Sequence, residues 1–335
     1  MVPRFLALII LIAKLVSPAA AQQRVSVVTQ RLAADGALFI AGVKGYFKAE
    51  GIDIQVGAYN ATREVLEAVA SGRSDFGLTE LTPAAFNLAG HNAITIVAAQ
   101  AREKRDFEGA ELVASNAAYD RGIRKFEDIA GKVVGIETLG TQAHYQLSEV
   151  ARVKGFKLPS MTVQTLYTAN ELAKAVETGR VDAAILPQPL ARDVITASQG
   201  KLIGWMSDIG EMQTGALFTT PKMIKDKRET VEKFVRAYRR GVAEYAAAML
   251  RRDRYAKRVS DDTSQKAAGI IARFVYPDTS TGPSIIDATA PYVDPKARID
   301  VDDLERQLAW YKAQGFVEKT VAARNIVDLS FTAGN

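Results

Sequence analysis

Short apolar runs separated by helix-sized amphipathic stretches set the pattern of this 335-residue chain. The first run, residues 25–28, stops at Thr29-Gln30-Arg31. Residues 36–50 then carry Leu38, Phe39, Val43 and Phe47 near helical spacing. Residues 52–56 alternate with period two, residues 62–71 read as a short amphipathic helix closed by Gly72, and residues 75–79 begin a further strand. Helix-sized segments between successive strands predict parallel pairing and an α/β sheet.

The same order recurs. Ala68-Val69-Ala70-Ser71-Gly72-Arg73-Ser74-Asp75 returns as Ala175-Val176-Glu177-Thr178-Gly179-Arg180-Val181-Asp182, 107 residues on, with Pro83 following the first copy and Pro187 and Pro189 the second. Around the second copy, residues 133–136 read as a strand, and Gly140-Thr141 opens a helix through Val153 with Thr141 as N-cap. Residues 161–166, 169–178 and 181–186 complete the unit as strand, helix and strand. Two copies at so long a period predict two similar lobes with a cleft between them rather than a solenoid.

Beyond Pro221 long amphipathic helices dominate, at residues 228–250, 264–274 and 301–314, as a helical cover rather than a third lobe. The polar segments 97–111 and 205–214 flank the second half and read as the crossings between lobes. The resulting division is 1–21 as a leader, 22–104 as the first part of lobe I, 105–210 as lobe II, and 211–335 completing lobe I.

Composition narrows the chemistry. Arg4, the apolar run 5–13 and Ala19-Ala20-Ala21 read as a secretory signal cleaved after Ala21, too short to span a bilayer. The chain has no cysteine, hence no disulfide framework and no thiol for lipid attachment. Net charge is +5, or +3 without Arg4 and Lys14, too mild for a nucleic-acid partner. Arg239-Arg240 and Arg251-Arg252-Asp253-Arg254 read as a solvated face. Two histidines, His91 and His144, do not make a zinc site, and Asp300-Val301-Asp302-Asp303 suits a helix N-terminus better than a calcium loop.

Taken together, Val43-Lys44-Gly45-Tyr46-Phe47-Lys48-Ala49-Glu50-Gly51-Ile52-Asp53, the two Gly-Arg-x-Asp segments and Phe126-Glu127-Asp128-Ile129-Ala130-Gly131-Lys132-Val133-Val134-Gly135 closely resemble the substrate-binding proteins of nitrate/sulfonate/taurine-type ABC importers. The resemblance covers nearly the whole chain after the leader. It implies an α/β, two-lobed periplasmic-binding-protein type II fold, each lobe a mostly parallel sheet flanked by helices, with a C-terminal helical cover. It also implies a monomeric periplasmic receptor that hands a small molecule to an ABC permease at the inner membrane, with no cofactor and no catalysis.

Carried over by position, the ligand contacts would be Gln30, Arg31 and Asp35 after the first strand, Thr79, Glu80 and Leu81 after the third, Gly140, Thr141 and Gln142 in the second half, and Gln188 after its third strand. Ligands of open parallel sheets sit beyond the carboxyl ends of the strands, where helix N-termini present free N–H groups. Two departures stand out. Glu80 occupies a position where the family often has a backbone-exposing glycine, and Pro187-Gln188-Pro189 replaces a common Trp-Glu-Pro. The expected cargo is an organic anion, carboxylate or sulfonate, with an aromatic body allowed. The alternatives are a pyrimidine or other heterocyclic vitamin precursor, and a role as receptor for a membrane sensor. An enzyme reading rests on a related branch that makes a pyrimidine precursor with its own histidine. Glu80 could meet a ligand amine or Arg31, or merely cap the helix after Pro83. Tyr145, Trp205, Phe218 and Tyr292 are the aromatics that could stack on a ring, and core filling is the plainer role for each. Arg73 and Arg180 read as structural.

Overall fold

The structure, a computed structural model, describes residues 22–332; the leader and its cleavage point lie outside them. Twelve strands are described: β1 (Gln23–Thr29), β2 (Ile52–Ala58), β3 (Phe76–Glu80), β4 (Thr95–Ala99), β5 (Arg102–Glu103), β6 (Glu111–Ser115), β7 (Val133–Ile136), β8 (Thr162–Thr165), β9 (Ala183–Leu186), β10 (Gly200–Trp205), β11 (Met212–Gln213) and β12 (Gly215–Thr219). They form one sheet of order β2-β1-β3-β12-β4, a second of order β10-β6-β9-β7-β8, and the short antiparallel pair β11-β5. In the first sheet β1 runs parallel to β2 and β3, and β12 antiparallel to β3 and β4. In the second, β7 runs parallel to β8 and β9, and β6 antiparallel to β9 and β10. Read from the β2 and β8 edges, the two sheets have one topology, that of a two-lobed type II periplasmic binding protein. In each, the fourth strand arrives from the far side of a crossing.

The duplicated segment explains the match in register. Gly72 and Gly179 both adopt left-handed backbone, with φ of 73° and 71°, which ends the helices Thr62–Ala70 and Ala169–Glu177 and turns the chain into the next strand. The aspartates that follow then tie that strand to its parallel neighbour. Asp75 accepts the Ser26 N–H and hydroxyl, both at 2.9 Å, and Asp182 accepts the Val133 N–H at 3.0 Å. The helix over β3 packs so closely that a Cβ on Gly77 would stand 2.7 Å from Val69, so only glycine fits there.

Two elements differ from the sequence reading. The helix expected over residues 36–50 is two pieces, Gly36–Val43 and Tyr46–Ala49, separated at Gly45 with φ of 72°. The crossings are tighter than the polar segments suggested: β4 uses residues up to Ala99, β6 begins at Glu111, and the β5–β11 pair joins the lobes. The helices Arg228–Met249, Asp262–Val275 and Val301–Ala313 fall within two residues of their expected bounds. Arg228–Met249 buries Phe234 against Phe76, rings stacked with centroids 3.8 Å apart, and Tyr238 donates to the Ala99 carbonyl at 3.0 Å. Of the basic residues after that helix, Arg254 is exposed as a solvated face would have it, while Arg252 is largely buried and pairs with Glu108 at 2.7 Å. No described helix is long and apolar enough to cross a membrane.

Candidate functional site

The carboxyl ends of the parallel strands in both sheets point toward one cleft. On the lobe I side a small cavity of about 60 Å3 is lined by Gln30, Asp35, Thr79, Glu80, Gln100 and Thr214, among others, with no lysine or arginine in its wall. Gln30 Oε1 accepts the Thr62 and Thr79 hydroxyls at 3.0 and 2.8 Å. Asp35 is buried and accepts the Leu32 N–H at 2.9 Å and the Gln100 amide at 2.6 Å. Burial pushes its carboxyl up to about 7 against the pull of those donors. Glu80 keeps its side chain open to solvent but sits in a crevice. The loss of hydration there, with the Glu137 carboxylate nearby as a second cause, pushes it up to about 7.

On the lobe II side, Glu137 follows β7, Gln188 follows β9, and Glu111 opens β6, which runs the other way and so begins at the cleft end of the sheet. Gln188 donates its amide to Glu111 Oε1. Burial pushes Glu111 up to about 7, with the Gln188 bond, the Trp205 side chain and the exposed Arg192 pulling the other way. Burial raises Glu137 as well. Facing Glu80, it places like charges on the two walls of the cleft.

The lobes touch. Gln142, in the first turn of the helix Gln142–Lys154, donates its amide to the Leu81 carbonyl at 3.2 Å and to the Thr214 carbonyl, both in lobe I. Tyr145 reaches into the lobe I core against Trp310 and Tyr311, with centroids 5.5 and 6.0 Å away. His144 lies edge-on to Trp310 at 5.0 Å, and its Nδ1 accepts the Gly140 N–H at 3.1 Å, which leaves the ring proton on Nε2. Burial lowers its pKa, so it is a neutral packing residue. His91 pairs with Glu318 on the surface.

The ten residues expected at the ligand are placed as follows. Gln30, Asp35, Thr79 and Glu80 converge on the lobe I cavity. Arg31 is exposed in left-handed backbone with φ of 54°, outside the cavity wall. Leu81 is fully buried in the core, so only its carbonyl reaches the cleft. Gly140 packs on Phe316, and Thr141 is an N-cap by position only: its hydroxyl turns back to the Thr138 carbonyl at 2.8 Å. Gln142 bridges the lobes and Gln188 lies beside Glu111. Glu80 caps nothing, because Thr82 accepts the Ala85 N–H. Of the aromatics, Phe218 is core, Tyr292 packs on Phe107, and Trp205 alone stands beside a floor carboxylate.

Gln100, Glu111, Glu137 and Trp310 were not singled out from sequence. One signal could have found Glu137. The 107-residue repeat sets it opposite Gln30, each directly after the first strand of its lobe. Glu111 gave none, since it opens a strand borrowed across the crossing. Asp300 caps its helix through the Asp303 N–H at 3.0 Å, as expected of that acidic run. Among the described residues no group of three or more His, Cys, Asp or Glu could hold a metal.

Comparison with known proteins agrees with this fold. A 4-amino-5-hydroxymethyl-2-methylpyrimidine phosphate synthase of Saccharomyces cerevisiae is 26% identical over 216 residues, 61% of this chain; the chain spans about 61% of that relative's length. The periplasmic aliphatic sulphonate binding protein SsuA of Escherichia coli superposes with a TM-score of 0.71 at 15% identity, covering 93% of this chain and 99% of that one. The alkanesulfonate-binding protein SsuA of Xanthomonas axonopodis pv. citri, bound to MOPS, gives 0.66 at 17% identity, covering 92% and 99%. At such identities these structures speak for the fold. The NMT1/THI5-like family profile matches residues 35–248, well over half the sequence, and the chain belongs to that family.

Proposed function

We propose that this protein is the periplasmic ligand receptor of an ABC importer, closing two lobes around one small organic molecule and presenting the closed form to a permease at the inner membrane. The observation that carries this reading is the pair of matched sheets, with a polar cavity at the strand ends of lobe I and Gln142 of lobe II bonded to the carbonyls beside it. Hinge closure is the corresponding switch, with β5 and β11 as the joining strands. Ligand that touches both lobes binds the closed form better and so shifts the population toward it. Export through residues 1–21, with cleavage after Ala21, belongs to the same reading.

A receptor suits the site better than an enzyme does. His144 is locked into interlobe packing and His91 is on the surface, so neither stands in the cavity as an acid or base. Of the cargo classes expected from sequence, we favour a nitrogen heterocycle over an organic anion, because the cavity wall carries carboxylates and amides and no cation. The kinship with a pyrimidine phosphate synthase points the same way. A sensor receptor would use the same cleft, and genes for a permease and an ATPase beside this one would favour import.

The test is a thermal-shift screen of the purified protein against aminopyrimidines, aromatic carboxylates, sulfonates and flavins, followed by small-angle scattering of each hit. A ligand at 100 times its Kd raises stability by about 2.7 kcal/mol. A stabilising compound that also makes the protein more compact is the expected result. Turnover of a compound, with no stabilisation by any, would overturn the receptor reading.

A further inference from the structure

Several side-chain donors of the cleft are already spent on the protein itself, while carboxylate oxygens are not. Gln100 gives its amide to Asp35, Gln188 gives its amide to Glu111, Gln142 gives its amide to lobe I carbonyls, and Thr141 gives its hydroxyl to Thr138. What remains for a ligand, besides the Gln30 amide, the Thr214 hydroxyl, the Trp205 indole N–H and the N–H groups of one helix turn, is carboxylate and amide oxygen. The lobe II floor makes this sharper. Glu111 is 5% exposed, and both its Oε2 and the Gln188 Oε1 are shut off from water with no well-formed hydrogen bond, the Trp205 indole being the neutral donor beside Glu111. A buried carboxylate oxygen without a full hydrogen bond is an unfavourable arrangement unless something supplies a proton or an N–H. The nearby cation, Arg192, is exposed on the following helix, and no charged donor is bonded to the pair.

Resting on the receptor reading, we propose that the cargo is an organic cation with N–H donors at both ends, one end held by Glu80 of lobe I and the other by a subsite made of Glu111 and Gln188 of lobe II. An amidinium or aminoheterocyclic cation has this chemistry. Its planar N–H edge matches two adjacent acceptor oxygens, and its charge relieves the repulsion between Glu80 and Glu137 as the lobes close. Binding at both ends also explains why like-charged walls face each other: the closed form is complete only with a cation between them.

The test uses four compounds of similar size and opposite character. The purified protein is titrated calorimetrically with 4-aminobenzamidine, benzamide, benzoate and benzenesulfonate. Expected is binding of 4-aminobenzamidine at least tenfold tighter than benzamide, with compaction in small-angle scattering, and no detectable heat from the two anions. Glu111→Gln and Glu80→Gln should each weaken 4-aminobenzamidine at least tenfold. Should Glu111→Gln not fold, Gln188→Met removes the neighbouring acceptor, and with it the amide bonded to Glu111, without a charge change, and should weaken binding at least threefold. Tighter binding and compaction with benzoate or benzenesulfonate would overturn the cation assignment and leave the receptor reading standing. Unchanged affinity in the floor variants would overturn the subsite. Silence from all four compounds would overturn the assignment too, while compaction by any other class of compound in the wider screen would still support a receptor.

Discussion

The two copies of Gly-Arg-x-Asp perform one structural task in different company. In lobe I, Asp75 accepts both the N–H and the hydroxyl of Ser26; in lobe II, Asp182 accepts the Val133 N–H and an exposed Arg121 at 2.8 Å. Each aspartate pins the start of the third strand to the first, and the strands then pair in the same register, Val27 with Phe76 and Val134 with Ala183. Identity is kept where the sheet needs it. A few residues further on it lapses: Glu80 stands where lobe II has Pro187, Leu81 where it has Gln188, and Gln30 where it has Glu137. The duplication therefore carries the scaffold, and the divergence carries the cleft. Arg73 and Arg180, repeated but exposed, belong with the scaffold.

The comparison can be strained in several ways. The largest effect should come from Tyr145→Ala, which removes the lobe II side chain that fills lobe I. Large-to-small changes at buried aromatics cost about 3–5 kcal/mol, and urea unfolding should show that loss together with a larger radius of gyration. A loss under about 1 kcal/mol would mean the lobes do not share that core.

Next come the paired aspartates. Asp75→Ala orphans two donors and should cost roughly 2–3 kcal/mol, whereas Asp182→Ala orphans one N–H and loses an exposed ion pair worth at most about 1 kcal/mol, so roughly 1–2 kcal/mol is expected. Equal losses, or the reverse order, would mean that the second Ser26 donor adds nothing to the Asp75 tie.

Gln142→Ala should leave global stability within about 1 kcal/mol but loosen closure, since two hydrogen bonds to lobe I contribute about 0.5–1.5 kcal/mol each to the closed form. Scattering of the ligand-free protein would report a more open average. An unchanged profile would make Gln142 incidental.

The smallest effect is a pH slope. Asp35, Glu80 and Glu111 titrate near 7 in the folded chain, above their ordinary values of 3.8 to 4.5. The folded state thus holds protons more tightly than the unfolded one across that interval. Their contribution is favourable below about pH 4 to 5 and is lost as pH rises through 7. His144, lowered by burial, acts in the opposite sense below its ordinary value. The Tm of ligand-free protein should fall by a few degrees from roughly pH 6 to pH 8, and Glu80→Gln should flatten that fall. A slope identical in wild type and variant would place the titration elsewhere.

Much of this protein was legible along the chain, because strand and helix periods, glycine turns and the repeated aspartate act over short sequence distances and leave local marks. The bounds of Arg228–Met249 and the matched order of the two halves followed from such marks. The cleft did not, because its residues meet only when distant strand ends are brought together. Leu81 looked like a loop residue and is core, since β12 and the lobe II helix close over it. Thr141 looked like an anion-binding cap, yet its hydroxyl found a carbonyl three residues back. Glu111 and Glu137 became neighbours of Gln188 and Glu80 only through antiparallel insertion of β6 and apposition of the lobes. Sequence determined the two-lobed frame because hydrogen bonding and burial within each unit are local or repeated. The tertiary structure decided which side-chain donors at the strand ends are spent and which are free, because their partners lie across the fold.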